Sequence, residues 1–223
     1  MTAGAGIARA ASSGNVGLAE ALSPAEVLHV QVDLPSGRRV GVPMYVRDEL
    51  RWSGELPGSF DAVPNKEAFT LEGRPMYPEL LVVRLLERAG WTAAWRKNWG
   101  GTDYWRNIRE PIIPAPIPAA IIEQVSRQAG HAIPWDIIAW RGREIRLLVS
   151  RVDSGRRVSA YLASWLDAAL RMGIPLGCFA IVEHRAERPS RRGQSRPFAG
   201  RRRAIEGVPD SVRDGVRLGG HAS

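Results

Sequence analysis

Residues 134–184 read PWDIIAWRGREIRLLVSRVDSGRRVSAYLASWLDAALRMGIPLGCFAIVEH, and the fold turns on this stretch. Trp135–Trp140 and Glu144–Val152 are two apolar and β-branched runs separated by Arg141-Gly142-Arg143, which predicts an antiparallel hairpin. Val158, Tyr161, Leu162, Trp165, Leu166, Ala169 and Leu170 then recur at helical spacing. Ser159 lies near the N-cap of that helix, Gly173 just past its end and Pro175 beyond. Cys178–His184 is a further apolar run, predicted to return as a strand beside the hairpin after the helix crosses one face of the sheet. Asp136 is the one polar residue inside a buried strand pattern. With the turn at Arg141-Gly142-Arg143 it is expected to fall opposite Val149, and alternation puts Asp136, Val149 and Arg151 on one face, the candidate site.

Moving toward the N-terminus, Ala119–Gln128 predicts a helix closed by Gly130, preceded by a stiff connector at 111–118 with four prolines. Trp99–Trp105 is a glycine-hinged aromatic loop beside Arg96, Lys97, Arg106 and Arg109; its rings suit either base stacking or anchoring of the loop in the core. Trp91–Asn98 predicts a strand. The helix before it starts at Pro78 and stops at Gly90, burying Leu81, Val82, Leu85, Leu86 and Ala89. Val27–Leu34 and Arg38–Val46 flank Pro35-Ser36-Gly37 and predict a second β-hairpin, which either extends the sheet or forms an accessory unit. Residues 52–74 carry turn residues without a sustained period and read as a connecting loop.

Composition bounds the partners. No apolar run approaches the roughly 20 residues of a membrane span, so a soluble, cytoplasmic protein is expected. The single Cys178 has no partner for an internal disulfide and reads as a buried, inert thiol. No His or Cys stands at metal-binding spacing, and His29 reads as a packed or edge residue. Residues 185–223 hold ten Arg against four acids, +6 of the formal +8. This tail is poor in apolar residues and is predicted to be disordered when alone. Its Arg191, Arg192, Arg201, Arg202 and Arg203 suit an arm for nucleic-acid phosphates, or equally a solubilising segment. The expected layout is a disordered N-terminus (1–25), an accessory hairpin and loop (26–75), an α/β core (76–184) and the basic tail (185–223).

Across residues 76–184 the chain resembles the nuclease core of the PD-(D/E)xK superfamily, most closely its virus-type replication-repair (VRR-NUC) branch. The resemblance rests on Asp136 opening a strand, on Trp165-Leu166-Asp167-Ala168, on Gly173-Ile174-Pro175 and on Val182-Glu183. It implies a restriction-endonuclease-like core, a mixed central sheet flanked by helices. It also implies Mg²⁺- or Mn²⁺-dependent phosphodiester hydrolysis, with Asp136 and Glu79 as metal ligands and Arg151 standing where the family has its lysine. Glu79 also suits a first helical turn for dipole reasons alone. The family's Glu-x-Lys is here Val149-Ser150-Arg151, and a Gln of its helix is Leu162. Val149 offers no ligand, and a guanidinium stays protonated and cannot act as a base. The expected function is therefore a nuclease-like, DNA-binding protein with impaired or lost hydrolase activity; the alternative is a non-catalytic protein-interaction or structural domain. On this face, Val149→Glu with Arg151→Lys would complete a two-acid ion site.

Overall fold

A computed structural model describes residues 14–56, 66–96, 104–107, 110–153 and 158–187. The chain divides into two units, Met1–Arg188 and Pro189–Ser223, and every described residue belongs to the first. In chain order the first unit carries α1 (Gly14–Leu22), β1 (Glu26–Asp33), β2 (Arg39–Glu49), β3 (Phe69–Leu71), β4 (Arg74–Met76), α2 (Pro78–Arg88) and β5 (Thr92–Arg96). There follow β6 (Tyr104–Asn107), β7 (Glu110–Ile112), α3 (Pro116–Ala129), β8 (Ile137–Arg141), β9 (Glu144–Val152), α4 (Ala160–Arg171), a 3₁₀ turn at Leu176–Cys178 and β10 (Phe179–Ala186).

Eight strands form one mixed sheet in the order β1-β2-β10-β9-β8-β5-β6-β7, and β3 pairs with β4 in a small separate hairpin. The β10 strand runs parallel to both β2 and β9; the other neighbours are antiparallel. The β1–β2 hairpin therefore extends the sheet, with Val30 opposite Val42 and Val32 opposite Val40. His29 is exposed on the edge strand β1, away from any ligand cluster. Gly142, at φ 59°, is the first of the two residues turning β8 into β9, where a backbone with positive φ is needed and a Cβ would be strained.

The core lies in two layers, one on each side of the sheet. Leu162, Trp165, Leu166, Ala169, Ile122 and Val125 of α3 and α4 pack on Ile138, Leu147, Val149, Phe179 and Ile181. Leu18, Leu22, Leu80, Val83 and Leu86 of α1 and α2 pack on Ile137, Ala139, Leu148, Ala180 and Val182. Alternation along β8, β9 and β10 thus supplies both layers, the pattern of a central sheet buried on both faces. The first layer is centred on Trp165, fully buried, whose ring meets Trp135 and Phe179 edge-on while its Nε1 donates to Ser126 Oγ at 3.1 Å.

Several boundaries differ from the sequence expectation. The helix predicted from Ala119 begins at Pro116, because proline is well suited to the first helical turn, where its missing N–H is no loss. Residues 111–118 are thus partly β7 and partly α3. Tyr161 is 66% exposed and lies off the buried stripe of α4, its ring set edge-on against His131. Residues 52–74, expected as loop, hold β3 and the start of β4. Cys178 is buried, and that burial pushes its thiol above the ordinary range, in line with an inert side chain. No helix among the described residues is long and apolar enough to cross a membrane.

Trp165→Ala would open a cavity between two other aromatic rings and leave Ser126 without its donor. It is expected to lower unfolding stability by about 3–5 kcal/mol, measurable by urea denaturation; a loss under about 1 kcal/mol would contradict this description of the core.

Candidate functional site

Glu79 and Asp136 are 57 positions apart in the chain, and the fold brings their charges together. Glu79 lies in the first turn of α2, after Pro78 at the first helical position, where the exposed helix N–H groups favour an acid. It is only 9% exposed. Its Oε1 accepts a hydrogen bond from Lys66 Nζ at 2.7 Å, while its Oε2 is buried with no hydrogen-bond partner. The Lys66 ammonium also lies over the rings of Trp95, 4.5 Å from the centroid, and Tyr77, at 5.4 Å. Aromatic faces of this kind attract a cation and shield it from water.

Asp136 immediately precedes β8. The ladder between β8 and β9 follows the register predicted from the turn, from Arg141 opposite Glu144 to Ile137 opposite Leu148. At Asp136 it departs. The Asp136 N–H donates to the Leu148 carbonyl at 3.0 Å, and Leu148 is already the ladder partner of Ile137, so the regular pairing ends there and Asp136 lies just outside β8. The preceding Trp135 packs with Phe179 on the α4 side, as Ile138 does, although strict alternation would put residues three apart on opposite faces. The alternation of β8 is therefore broken at Asp136, between Trp135 of one layer and Ile137 of the other.

Three backbone contacts hold Asp136 there. Its N–H bonds Leu148, its carbonyl accepts from Arg96 N–H at 2.7 Å, and its Oδ2 accepts from Ser150 N–H at 3.0 Å. Burial, and then the Glu79 carboxylate, push its pKa up to about 7, against the opposing pull of the Ser150 N–H, Lys66 and Arg151. Burial draws the Arg151 guanidinium below its ordinary value, while Glu183 and Asp136 act the other way.

Val149 is buried in the layer on the α4 side, with Leu162 and Phe179, while the charges that act on Asp136 come from Glu79, Lys66 and Arg151. Arg151 shares parity with Val149 and is the parallel-strand partner of Glu183. Of the predicted site residues, Glu79 and Arg151 both act on Asp136 through their charges. Asp153, which shares parity with Val149 and Arg151, pairs instead with Arg51 at 3.3 Å. Arg106 is committed to Glu87 at 2.6 Å and Glu110 at 3.4 Å. Residues 97–103, Arg109 and the tail arginines Arg191, Arg192, Arg201, Arg202 and Arg203 lie outside the described residues.

Beyond Ser150 the polar contacts continue toward β2. Ser150 Oγ is 3.1 Å from His184 Nε2, His184 Nδ1 is 3.7 Å from Glu49 Oε1, and that same oxygen accepts from Arg47 Nε at 2.6 Å. Burial raises the Glu49 carboxyl, but His184 and Arg47 outweigh it and leave it below the ordinary range. The order serine, histidine, carboxylate resembles a nucleophile relay. Here, however, the His184 ring is fully buried and stacked on Phe69 at 5.5 Å, closed to any substrate. Sequence reasoning missed this row, although the period-2 spacing of Arg47 and Glu49 at the end of a strand was its visible signal.

A divalent ion of the expected kind needs hard oxygen ligands. Among the described residues no group of three His, Cys, Asp or Glu side chains is placed to hold a metal. The two acids that converge already have a cation, since Lys66 is bonded to one and lowers the pKa of the other. The residues present therefore do not fit Mg²⁺ or Mn²⁺ as a resident ion. Compared with family models, curated proteins and solved structures, the chain matches none.

Two expectations follow. The folded chain binds the Asp136 proton more tightly than the unfolded chain, whose aspartates titrate near 3.8. Its contribution to stability is thus fully present at low pH and is lost as pH rises through about 7. Asp136→Asn should accordingly gain thermal stability relative to wild type as pH rises from about 5 to about 8, and a pH-independent difference in Tm would contradict the burial of this carboxyl. Val149→Glu, alone or with Arg151→Lys, should place a charge in the apolar layer beneath α4. A loss of about 3 kcal/mol or more is expected in urea denaturation; a double variant as stable as wild type would contradict the burial of Val149 in that layer.

Proposed function

We propose that this chain is a nuclease-like, nucleic-acid-binding protein on a restriction-endonuclease-like core, in which metal-dependent phosphodiester hydrolysis is lost. One observation carries the proposal: Glu79 and Asp136, the two acids named by the resemblance to PD-(D/E)xK nucleases, are far apart in sequence yet interact electrostatically at one site. The succession α2, β5, β8, β9, α4, β10 supports it. In the sheet β5, β8, β9 and β10 are neighbours, paired antiparallel, antiparallel and then parallel. This is the order in which the resembling elements would carry an acid on a helix, an acid opening one strand, and the remaining groups on the next.

Loss of hydrolysis follows from what β9 presents. Hydrolysing a phosphodiester with a bound ion calls for carboxylates that share the ion and a nearby amine or guanidinium to hold the phosphate or water. Val149 is buried among apolar side chains and offers no ligand, Ser150 uses its N–H to hold Asp136, and Arg151 is a permanent cation with Glu183 beside it. What remains suits binding: a basic chain of formal charge +8, most of it in residues 185–223.

Binding and cleavage are measured together, on fluorescein-labelled single-stranded, duplex and branched DNA. The wild-type chain is expected to bind with a steep dependence on KCl. Removal of residues 185–223 should weaken binding and flatten the log–log salt slope by roughly 0.9 for each phosphate that the tail had neutralised. With Mg²⁺ or Mn²⁺ present no cleavage is expected. Absence of binding to all three substrates would refute the assignment to nucleic acid, and metal-dependent cleavage abolished by Asp136→Ala would refute the loss of hydrolysis.

A further inference from the structure

We infer that Lys66 is the built-in cation of the acid pair, its ammonium standing where a divalent ion would otherwise sit against Glu79 and Asp136. The inference deepens the reading of a nuclease-like site that has lost hydrolysis, and it names what took the ion's place.

Several independent features of the site agree on this. The ammonium is 2.7 Å from Glu79 Oε1, in a pair with both side chains largely out of solvent. The rings of Trp95 and Tyr77 form an aromatic wall around the same nitrogen. Those two rings come from different elements, β5 and the N-cap of α2, so the cation's seat is built by the fold and not by the lysine's own segment. Lys66 also acts on Asp136 with the sign expected of a cation near it. Glu79 Oε2 remains buried without a hydrogen-bond partner. That orphaned oxygen is what a carboxylate retains when it has exchanged an ion able to take both its oxygens for an ammonium that takes one.

Charge explains why the exchange excludes a metal. The Lys66–Glu79 pair is neutral by itself, so the carboxylate offers an incoming ion less charge than a free one would. An incoming divalent ion would also meet the ammonium at close range, where water is scarce and repulsion is strongly felt. Removing the ammonium alone reverses both terms.

The test is Mn²⁺ binding to the full-length chain, followed by calorimetry and by paramagnetic broadening of backbone amide signals, with no nucleic acid present. Lys66→Met keeps an apolar stem of similar length against Trp95 and Tyr77 but removes the charge, and it should bind Mn²⁺ about tenfold or more tightly than wild type. Lys66→Arg, which keeps a cation, should behave as wild type. Adding Glu79→Gln to Lys66→Met should abolish the gain. Lys66→Gln provides a second neutral variant if Lys66→Met does not fold. In the wild type, the Glu79, Asp136 and Ser150 amide signals should persist at Mn²⁺ concentrations that erase them in the neutral variants. Equal Mn²⁺ affinity in wild type and both neutral variants would overturn the inference, as would selective loss of those signals in the wild type. Because the readout is ion binding, failure here is distinct from failure of the nucleic-acid assignment, which the DNA measurements decide separately.

Discussion

Two carboxylates held close together inside a protein repel each other and lose their hydration, so the surrounding structure must supply a positive charge, a proton or hydrogen-bond donors. Much of the described site answers that requirement. Lys66 supplies the charge to Glu79, the Ser150 N–H and a raised proton affinity serve Asp136, and Arg151 adds a second cation at the margin. A metal ion would meet the same requirement more fully. The chain meets it with an ammonium walled by two aromatic rings.

The sheet makes this possible by placing the strand ends correctly. Ser150 and His184 lie toward the carboxyl ends of adjacent parallel strands, and Asp136 enters the neighbouring antiparallel strand at the same level. Asp136 closes the end of that ladder, its N–H bonded to Leu148 and its carboxyl accepting from Ser150 N–H. The polar row from Arg47 through Glu49 and His184 to Ser150 ties β2 and β10 to β9 next to it. Its histidine is sealed under Phe69, so the row acts as a fixed support for the strand that holds Asp136.

Asp167 shows how a residue that carries the resemblance can serve the fold. It belongs to the Trp165-Leu166-Asp167-Ala168 string, is buried, and accepts a 2.6 Å hydrogen bond from Ser36 Oγ in the β1–β2 turn. That bond joins the edge hairpin to α4, and the α4-side layer carries Val30, Val32, Val40 and Val42 of the same hairpin. The hairpin is thereby part of the core that presents the acids.

Local periodicity determined a great deal of this protein. The β8–β9 turn at Gly142, the Ser159 cap that accepts from Leu162 N–H, the α4 stripe and the β10 return follow from spacing that each segment carries by itself. The two acids were legible as well, Asp136 as the lone polar residue in an apolar strand and Glu79 as an acid in a first helical turn. Their meeting and its consequences were decided by tertiary structure. A period-2 pattern cannot reveal where alternation breaks, and here it breaks at Asp136, because Trp135 packs with Trp165 and Phe179 while Ile137 joins the other layer. Lys66 carries no local signal at all. It stands in a stretch without periodicity, and its role arises only where Glu79, Trp95 and Tyr77, from a helix, a strand and a helix cap, converge on one ammonium. A charge acts through space, and the sequence orders residues only along the chain.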